Sequence, residues 1–155
     1  MGSMDTHDAG SDASDASALF SLLYVSEMSA PDAHEVRRIC EQSRANNLRD
    51  HITGLLVFDG HTFCQFVEGG EGAIAALLGR LERDPRHCRM RLLQFGPLAG
   101  ARRFPIWRLG YAYSADPSAI ARMRTTFDAA AVAAFERWAP GLTHRGNDDP
   151  ASGIP

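Results

Sequence analysis

Three polar side chains fall at positions where the sequence pattern predicts the protein interior. Ser43 and Asn47 continue the apolar face of a predicted helix, and Gln65 lies between two apolar residues on one side of a predicted strand. Buried polar groups cost free energy unless a partner satisfies their hydrogen bonds. A planar ligand that donates and accepts hydrogen bonds would be such a partner.

Tyr24, on the first predicted strand, adds a fourth polar group. Alternate residues of a strand share a face, so Tyr24 and Gln65 can both point toward the predicted helices. There they would meet the end of the helix that carries Ser43 and Asn47. A phenol, two amides and a hydroxyl offer both donors and acceptors. A flavin ring presents a matching edge, with N3–H as donor and O2, O4 and N5 as acceptors.

Most of these side chains also have a purely structural explanation. Tyr24 could be a buried tyrosine bonded to a carbonyl, and Asn47 could cap the end of its helix. Ser43 could bond back to its own helix backbone. Gln65 is the hardest to explain in this way, because Gln is a poor choice between two apolar neighbours.

Composition indicates one globular domain and excludes several function classes. The 155 residues are 45% hydrophobic and 23% charged, and the net charge of −3 gives no bulk support for nucleic-acid or anionic-membrane binding. No apolar run approaches a bilayer span and no signal peptide opens the chain, so we predict a cytoplasmic protein. Cys40, Cys64 and Cys88 are widely spaced, which predicts reduced, mostly buried thiols and no metal site.

The predicted elements follow the order β-α-β-β-α-β-β. An Asp-Gly turn joins the second and third strands, and Asp84-Pro85 ends the second helix. This order predicts an α+β, ferredoxin-like sheet with one extra strand and two helices on one face. The five strands are predicted at residues 19–26, 52–58, 62–68, 89–95 and 106–113.

The second face of this sheet is also predicted to be apolar, so it needs a cover. Leu23, Val25, Cys64 and Phe66 alternate toward it, and residues 117–139 carry apolar side chains at helical spacing that could supply the cover. We therefore predict a C-terminal helical pair that caps this face. The predicted segments are a disordered leader with a cloning remnant (1–17), the sheet domain (18–114), the cap helices (115–140) and a flexible tail (141–155).

Five short motifs now combine in one order at compatible spacing. They are Tyr24-Val25-Ser26, Asn46-Asn47 with Ile52-Thr53-Gly54, Phe63-x-Gln65-x-x-Glu68-Gly69, Asp84-x-Arg86-His87 and Arg103-Phe104-x-x-Trp107. With these motifs the chain resembles the BLUF domain, a flavin-binding blue-light sensor, and most of all the AppA-type BLUF domain. The resemblance covers roughly residues 19 to 113.

The resemblance implies a role for each of the four polar residues. Tyr24 would donate an electron and a proton to the excited flavin, and Gln65 would bridge Tyr24 and the flavin N5/O4 edge. Asn47 would hold O4 and N3, with Ser43 close by. Rotation or tautomerisation of Gln65 would strengthen the hydrogen bond to O4 and shift the absorption to the red.

The resemblance also implies a cofactor pocket with FAD as its ligand. Ile39 and Leu81 would sandwich the ring, while Arg86 and His87 would line its pyrimidine and ribityl side. Arg49 is a looser candidate for the phosphates, and the pattern favours a solvated arginine at a helix end over this role. FMN or riboflavin could occupy the same pocket, because no phosphate motif in the chain is specific.

One position departs from the family pattern. The family typically has Met two residues after the Trp of the fifth strand, whereas here Trp107 is followed by Leu109. A Met sulfur can accept a weak hydrogen bond and Leu cannot, so we expect altered signalling or dark recovery but intact flavin binding; Leu109 could also be simply a core residue. Trp107 has two possible positions: inward beside Gln65, where it would compete as an electron donor, or outward with Leu109 inward. Strand alternation puts Trp107, Leu109 and Tyr111 on one face, so the second arrangement could need a bulge.

Three functions remain open from the sequence. The first is a photoreceptor that is not an enzyme and signals by contact with an unidentified downstream protein, with the cap helices as a possible homodimer face. The second is a flavin enzyme, against which stands the lack of a G-x-G-x-x-G motif. The third is a ferredoxin-like binding module without a cofactor, for which RNA is a poor ligand because basic and aromatic residues are not interleaved on a strand.

Overall fold

The protein, described by a computed structural model over residues 19–30 and 32–145, is built around one mixed sheet. Its six strands are β1 (Leu19–Met28), β2 (Thr53–Phe58), β3 (Thr62–Gly70), β4 (His87–Pro97), β5 (Gly110–Tyr113) and β6 (Thr143–Arg145). They lie in the order β4-β1-β3-β2-β5-β6. β2 and β5 are parallel, and the other neighbouring strands are antiparallel. The predicted ferredoxin-like α+β fold is confirmed.

Four α-helices of the described residues cover the two faces of the sheet. They are α1 (Ala33–Asp50), α2 (Glu71–Arg83), α3 (Ala119–Met123) and α4 (Asp128–Trp138), and a short 3₁₀ helix (Ala139–Gly141) follows α4. Helix α1 begins after Asp32, whose side chain accepts a hydrogen bond from the backbone N–H of His34 at 2.9 Å. It ends at His51, which adopts the left-handed conformation. Among the described helices, none combines the length and apolar character that a membrane span needs.

Helices α1 and α2 bury one face of the sheet in two adjoining clusters. Under α1, Val36, Ile39 and Cys40 pack with residues of β2 and β3. Under α2, Ile74 packs with Leu22 and Tyr24 of β1. The candidate polar residues therefore lie on a side of the sheet that apolar side chains otherwise fill.

The C-terminal helices cap the opposite face, as the sequence predicted. The strand residues predicted to face this side form one core with three residues of the cap helices, namely Leu23, Val25, Cys64 and Phe66 with Ile120, Met123 and Phe135. Phe127, one of the apolar residues at helical spacing in this segment, lies outside the core, because it stands before the first turn of α4 and is 44% exposed. The Arg91 guanidinium lies 4.7 Å from its ring centre. Cys40 and Cys64 are buried, whereas Cys88 is exposed.

Two predicted boundaries need correction. The fifth strand begins at Gly110 rather than at residue 106, because residues 103–109 bond to side chains and to β2 instead of joining a ladder. The predicted flexible tail contains β6, which pairs with the outer edge of β5; three residues are too few to give an alternating pattern. The whole predicted leader, residues 1–17, lies outside the described residues. So does the rest of the predicted tail, residues 146–155.

Candidate functional site

A buried phenol–amide hydrogen bond joins the neighbouring strands β1 and β3. Tyr24 on β1 and Gln65 on β3 are directly opposite each other in the ladder, and the Tyr24 hydroxyl donates to Gln65 Oε1. Both side chains are buried. Burial raises the pKa of Tyr24 far above its ordinary value, so the hydroxyl stays protonated and remains a donor at physiological pH. The sequence prediction that these two side chains meet is confirmed.

A cleft of about 600 Å³ opens between α1 and α2. Three of the residues proposed as flavin contacts line it together, namely Ser43, Leu81 and Arg86. Its size lies within the range of ordinary small-molecule sites. The cleft therefore lies between the two helices, where the resemblance implies that the flavin ring binds.

Asn47 and Ile39 extend the site from the cleft into the core. Asn47 follows Ser43 by one helical turn on the same face of α1, and its side-chain Nδ2 donates to the backbone oxygen of Arg108 at 2.6 Å. The helix end is capped by His51 rather than by the Asn47 side chain. Ile39 is buried in the same apolar cluster as Leu109.

His87 and Arg86 close the site from the start of β4. The Nδ1 atom of His87 lies 3.0 Å from the Ser26 hydroxyl, and the imidazole ring lies 5.3 Å from that of Phe63. Burial lowers the pKa of His87, which favours a neutral ring that can accept the Ser26 hydrogen. The Arg86 guanidinium pairs with the Asp84 carboxylate at 2.7 Å, and this hydrogen-bonded pair lowers the pKa of Asp84.

The arginine suggested from the sequence for the cofactor's phosphates lies outside the cleft. Arg49 is exposed, bonds to Asp50 at 2.9 Å and does not line the cleft. Arg80 and Arg83 do line it, on the α2 side. Both are arginines of the polar side of α2, and the sequence alone gives no reason to choose them over other helix-surface arginines.

Trp107 and Leu109 lie on opposite sides of the sheet. The Trp107 ring stacks on Phe104, with ring centres 5.9 Å apart and planes at 13°, and packs against the core beneath the cap helices. Leu109 is buried in the cluster under α1. The prediction that strand alternation would keep both on one face is wrong, because neither residue belongs to a strand. The outward Trp and inward Leu arrangement therefore needs no bulge.

These residues fit a flavin. Gln65 and Asn47 are buried amides, and Tyr24 is a buried donor, as the polar edge of the ring requires. Leu77 and Leu81 give the cleft an apolar wall on the α2 side. Tyr24, Gln65 and Asn47 do not themselves line the cleft. Asn47 lies one helical turn after the lining residue Ser43, and Tyr24 belongs to the cluster against which the lining residues Leu77 and Leu81 pack.

Known proteins resemble the chain along most of its described length. The family profile described as BLUF, sensors of blue-light using FAD, matches residues 19–110. The photoactivated adenylate cyclase subunit beta of Euglena longa is 28% identical over 104 residues, which are 65% of this chain and 12% of that protein. The chain thus spans about an eighth of the length of the curated relatives that it matches.

Two solved structures share both fold and sequence features with the chain. The dark-state structure of BlrB, a BLUF protein, has a TM-score of 0.61 and 30% identity, covering 87% of this chain and 91% of that one. The structure of a bacterial light-regulated adenylyl cyclase has a TM-score of 0.59 and 30% identity, covering 61% of this chain and 28% of that one. The chain therefore belongs to the BLUF family of blue-light sensors that use FAD.

Proposed function

We propose that this chain is a blue-light photoreceptor whose switch is the hydrogen bond between Tyr24 and Gln65. The observation that carries the proposal is that Tyr24 of this buried phenol–amide pair belongs to the apolar cluster against which Leu77 and Leu81 pack, and both leucines line a ligand-sized cleft between α1 and α2. Membership of the BLUF family supports it independently. A flavin bound in the cleft supplies the absorption of blue light and an excited state that accepts an electron and a proton.

The chain's own residues would bind the ring and carry the switch. Tyr24 is an oxidisable side chain whose proton already points at Gln65. The Gln65 amide carries an oxygen that accepts hydrogen bonds and an NH2 group that donates them. Rotation of the amide therefore puts the donor where the acceptor was, and the acceptor where the donor was. The two orientations form a two-state element whose balance can bias the sheet.

The remaining proposed contacts hold and orient the ring. Ser43 and Asn47 supply polar groups from α1, and Ile39 and Leu81 supply apolar contacts from the two helices. Arg86 and His87 supply the polar side at the start of β4. Ser43, Leu81 and Arg86 support this assignment because they line the cleft itself. Ile39 and Asn47 lie on the same helix as Ser43, and His87 directly follows Arg86.

We further propose that the flavin carries phosphate, as FAD or FMN does, and that Arg80 and Arg83 bind it. Both arginines line the cleft, and among the described residues that line it Asp84 is the only acidic one. Arg80 also lies 3.5 Å from Asp50, a carboxylate outside the lining that is shared with Arg49. Arg86 is already paired with Asp84. A phosphate group would therefore meet net positive charge on the α2 side.

Replacing Arg83 by Gln should weaken the binding of FMN and FAD but not of riboflavin. Loss of one charge-assisted hydrogen bond corresponds to about a tenfold rise in Kd. Titration of flavin-free protein with the three flavins measures the effect. Arg49→Gln is the matched control, because it removes the same charge from an exposed residue outside the cleft. An equal loss for riboflavin, or an equal loss in the control, would contradict the phosphate assignment.

The output of the sensor is proposed to be contact with a partner protein rather than substrate turnover. The support is the position of α3 and α4, which pack on the sheet face opposite the cleft. Light-regulated cyclases are among the similar proteins, but the chain matches only a small part of their length. The cytoplasmic location and the possible homodimer stay predictions from the sequence.

An absorption spectrum in the dark and under blue light tests the proposed function. With FAD supplied, flavin bands that shift reversibly to the red support the photoreceptor. Flavin bands that a reductant bleaches but light does not move would instead support a flavin enzyme. A protein that takes up no flavin would leave a cofactor-free binding module and would exclude the other two.

The Leu109→Met variant should recover more slowly in the dark than the natural chain. Leu109 packs in the same cluster as Leu56, the cross-strand neighbour of Gln65, so a sulfur there could accept a weak hydrogen bond from a rotated Gln65 amide. One weak hydrogen bond corresponds to about a fivefold change in rate. Flavin affinity should not change, because Leu and Met are close in volume.

Flash photolysis measures this recovery, with Leu55→Met as the control. Leu55 is a buried leucine on the opposite face of the sheet, under the cap helices. Limited proteolysis in the light is measured in parallel. If recovery and proteolysis of Leu109→Met match those of the natural chain, Leu109 is only a core residue.

A further inference from the structure

The connection between β4 and β5, residues 98–109, is held by a buried carboxylate. Glu68 lies near the end of β3 and is fully buried. Its Oε2 accepts the backbone N–H of Arg103 at 2.9 Å, and its Oε1 accepts that of Phe104 at 2.8 Å. Two consecutive backbone N–H groups of the connection therefore point at one side chain of the sheet.

Arg102 holds the same connection in the reverse direction. Its guanidinium donates to the backbone oxygen of Glu68 at 3.0 Å, to Thr53 Oγ1 at 2.9 Å and to the backbone oxygen of His51 at 2.9 Å. A side chain of the sheet thus bonds to the backbone of the connection, and a side chain of the connection bonds to the backbone of the sheet. We call these contacts of Glu68 and Arg102 the loop clamp.

The loop clamp determines where the aromatic residues of the connection lie. With its N–H fixed by Glu68, Phe104 places its ring against Phe66 and Phe135 and under Trp107. The backbone oxygen of Trp107 accepts the N–H of Gly54 at 3.0 Å. Glu68 and Gln65 both belong to strand β3. Gln65 lies three residues before Glu68, so its side chain is on the opposite face of the sheet.

Only an ionised carboxylate satisfies both N–H groups at once. It carries two acceptor oxygens and no donor, whereas the Gln side chain of the same shape would turn an N–H toward one of them. Burial raises the pKa of Glu68 and so makes the charge costly, while the two backbone hydrogen bonds and the neighbouring arginines act against this rise. A buried charge that is retained at such a cost can serve to select one conformation.

We propose that Glu68 is a positioning residue that holds Trp107 on the cap-helix face and Leu109 on the flavin face. It thereby ties the conformation of the output connection to the strand that carries Gln65. The effect on Trp107 concerns the dark protein alone, and the effect on photocycle kinetics rests on the proposed function.

The test is Glu68→Gln in the flavin-bound protein with Trp138 replaced by Phe, so that Trp107 is the one remaining tryptophan. In the dark, acrylamide should quench Trp107 fluorescence more strongly than in the Trp138→Phe parent. Dark recovery after a flash should change about fivefold, as expected for one lost hydrogen bond, while the dark flavin spectrum stays the same. Val57→Ala is the control, because it removes buried apolar volume from the same core but no hydrogen bond of the loop clamp.

A Glu68→Gln protein with lowered Tm but parental quenching and recovery would overturn the proposal and leave Glu68 a structural residue. The proposal is also overturned if Val57→Ala, at a matched Tm, changes both readouts equally. If Glu68→Gln yields no folded protein, Arg102→Gln is judged by the same criteria. Absence of a red shift in the parent itself would refute the photoreceptor function, and the quenching comparison would still decide the role of Glu68.

Discussion

Replacing Tyr24 by Phe should abolish the reversible red shift while leaving flavin bound. Phe keeps the ring that packs beneath α2 and removes only the hydroxyl that donates to Gln65. Without that O–H, Gln65 loses its proton relay, and a phenyl group is much harder to oxidise than a phenol. The lost hydrogen bond should lower the free energy of unfolding by about 1 kcal/mol, too little to unfold a typical domain.

The light-minus-dark absorption spectrum of Tyr24→Phe measures this effect. Tyr113→Phe is the matched control, since it removes a hydroxyl from a partly exposed tyrosine of β5 that lies outside the site. We expect the control to shift as the natural chain does. A red shift of normal size in Tyr24→Phe would show that another residue drives the switch.

Replacing Gly54 by Ala should strongly destabilise the whole domain. A Cβ atom at this position would lie 2.1 Å from the backbone oxygen of Phe66 and 2.9 Å from Cα of Val67. Both are backbone atoms of β3, so neither can rotate away. Forced overpacking costs about 1–3 kcal/mol and occasionally more, and this contact also disturbs the strand pair that carries Gln65.

Thermal or urea unfolding of Gly54→Ala measures the loss. Gly72→Ala is the control, because an added Cβ in α2 would meet no atom within 4 Å. The free energy of unfolding of that control should stay within about 0.5 kcal/mol of that of the natural chain, because Gly72 lies in the first turn of α2 and the added methyl group meets open space. An unchanged stability of Gly54→Ala would mean that β2 and β3 approach each other less closely than described.

The part of the site that follows from strand and helix periodicity could be predicted from the sequence. Tyr24 and Gln65 lie in regular antiparallel strands, where a period of two fixes the face of every side chain. Ser43 and Asn47 lie on one face of α1 for the corresponding helical reason. The cap over the second face followed from its apolar residues, because an exposed apolar sheet face requires a cover.

The part that depends on contacts distant in the sequence could not be predicted. Residues 106–109 have the composition of a strand, but the conformation of the connection that contains them is set by Glu68, Asn47 and Gly54, which lie between 35 and 61 positions from their partners. Alternation was therefore the wrong rule for Trp107. Arg80 and Arg83 were missed for a related reason, since only the crossing of α1 and α2 distinguishes them from other surface arginines.

The central claim, that the Gln65 amide changes its hydrogen bonds when Tyr24 responds to light, can be measured directly. The chain has three glutamines, so Gln42→Glu and Gln94→Glu leave Gln65 as the sole site for an isotope-labelled amide. Its light-minus-dark infrared spectrum should show a reversible shift of the labelled amide bands that disappears in Tyr24→Phe. A normal flavin red shift with no change in the labelled bands would contradict the account.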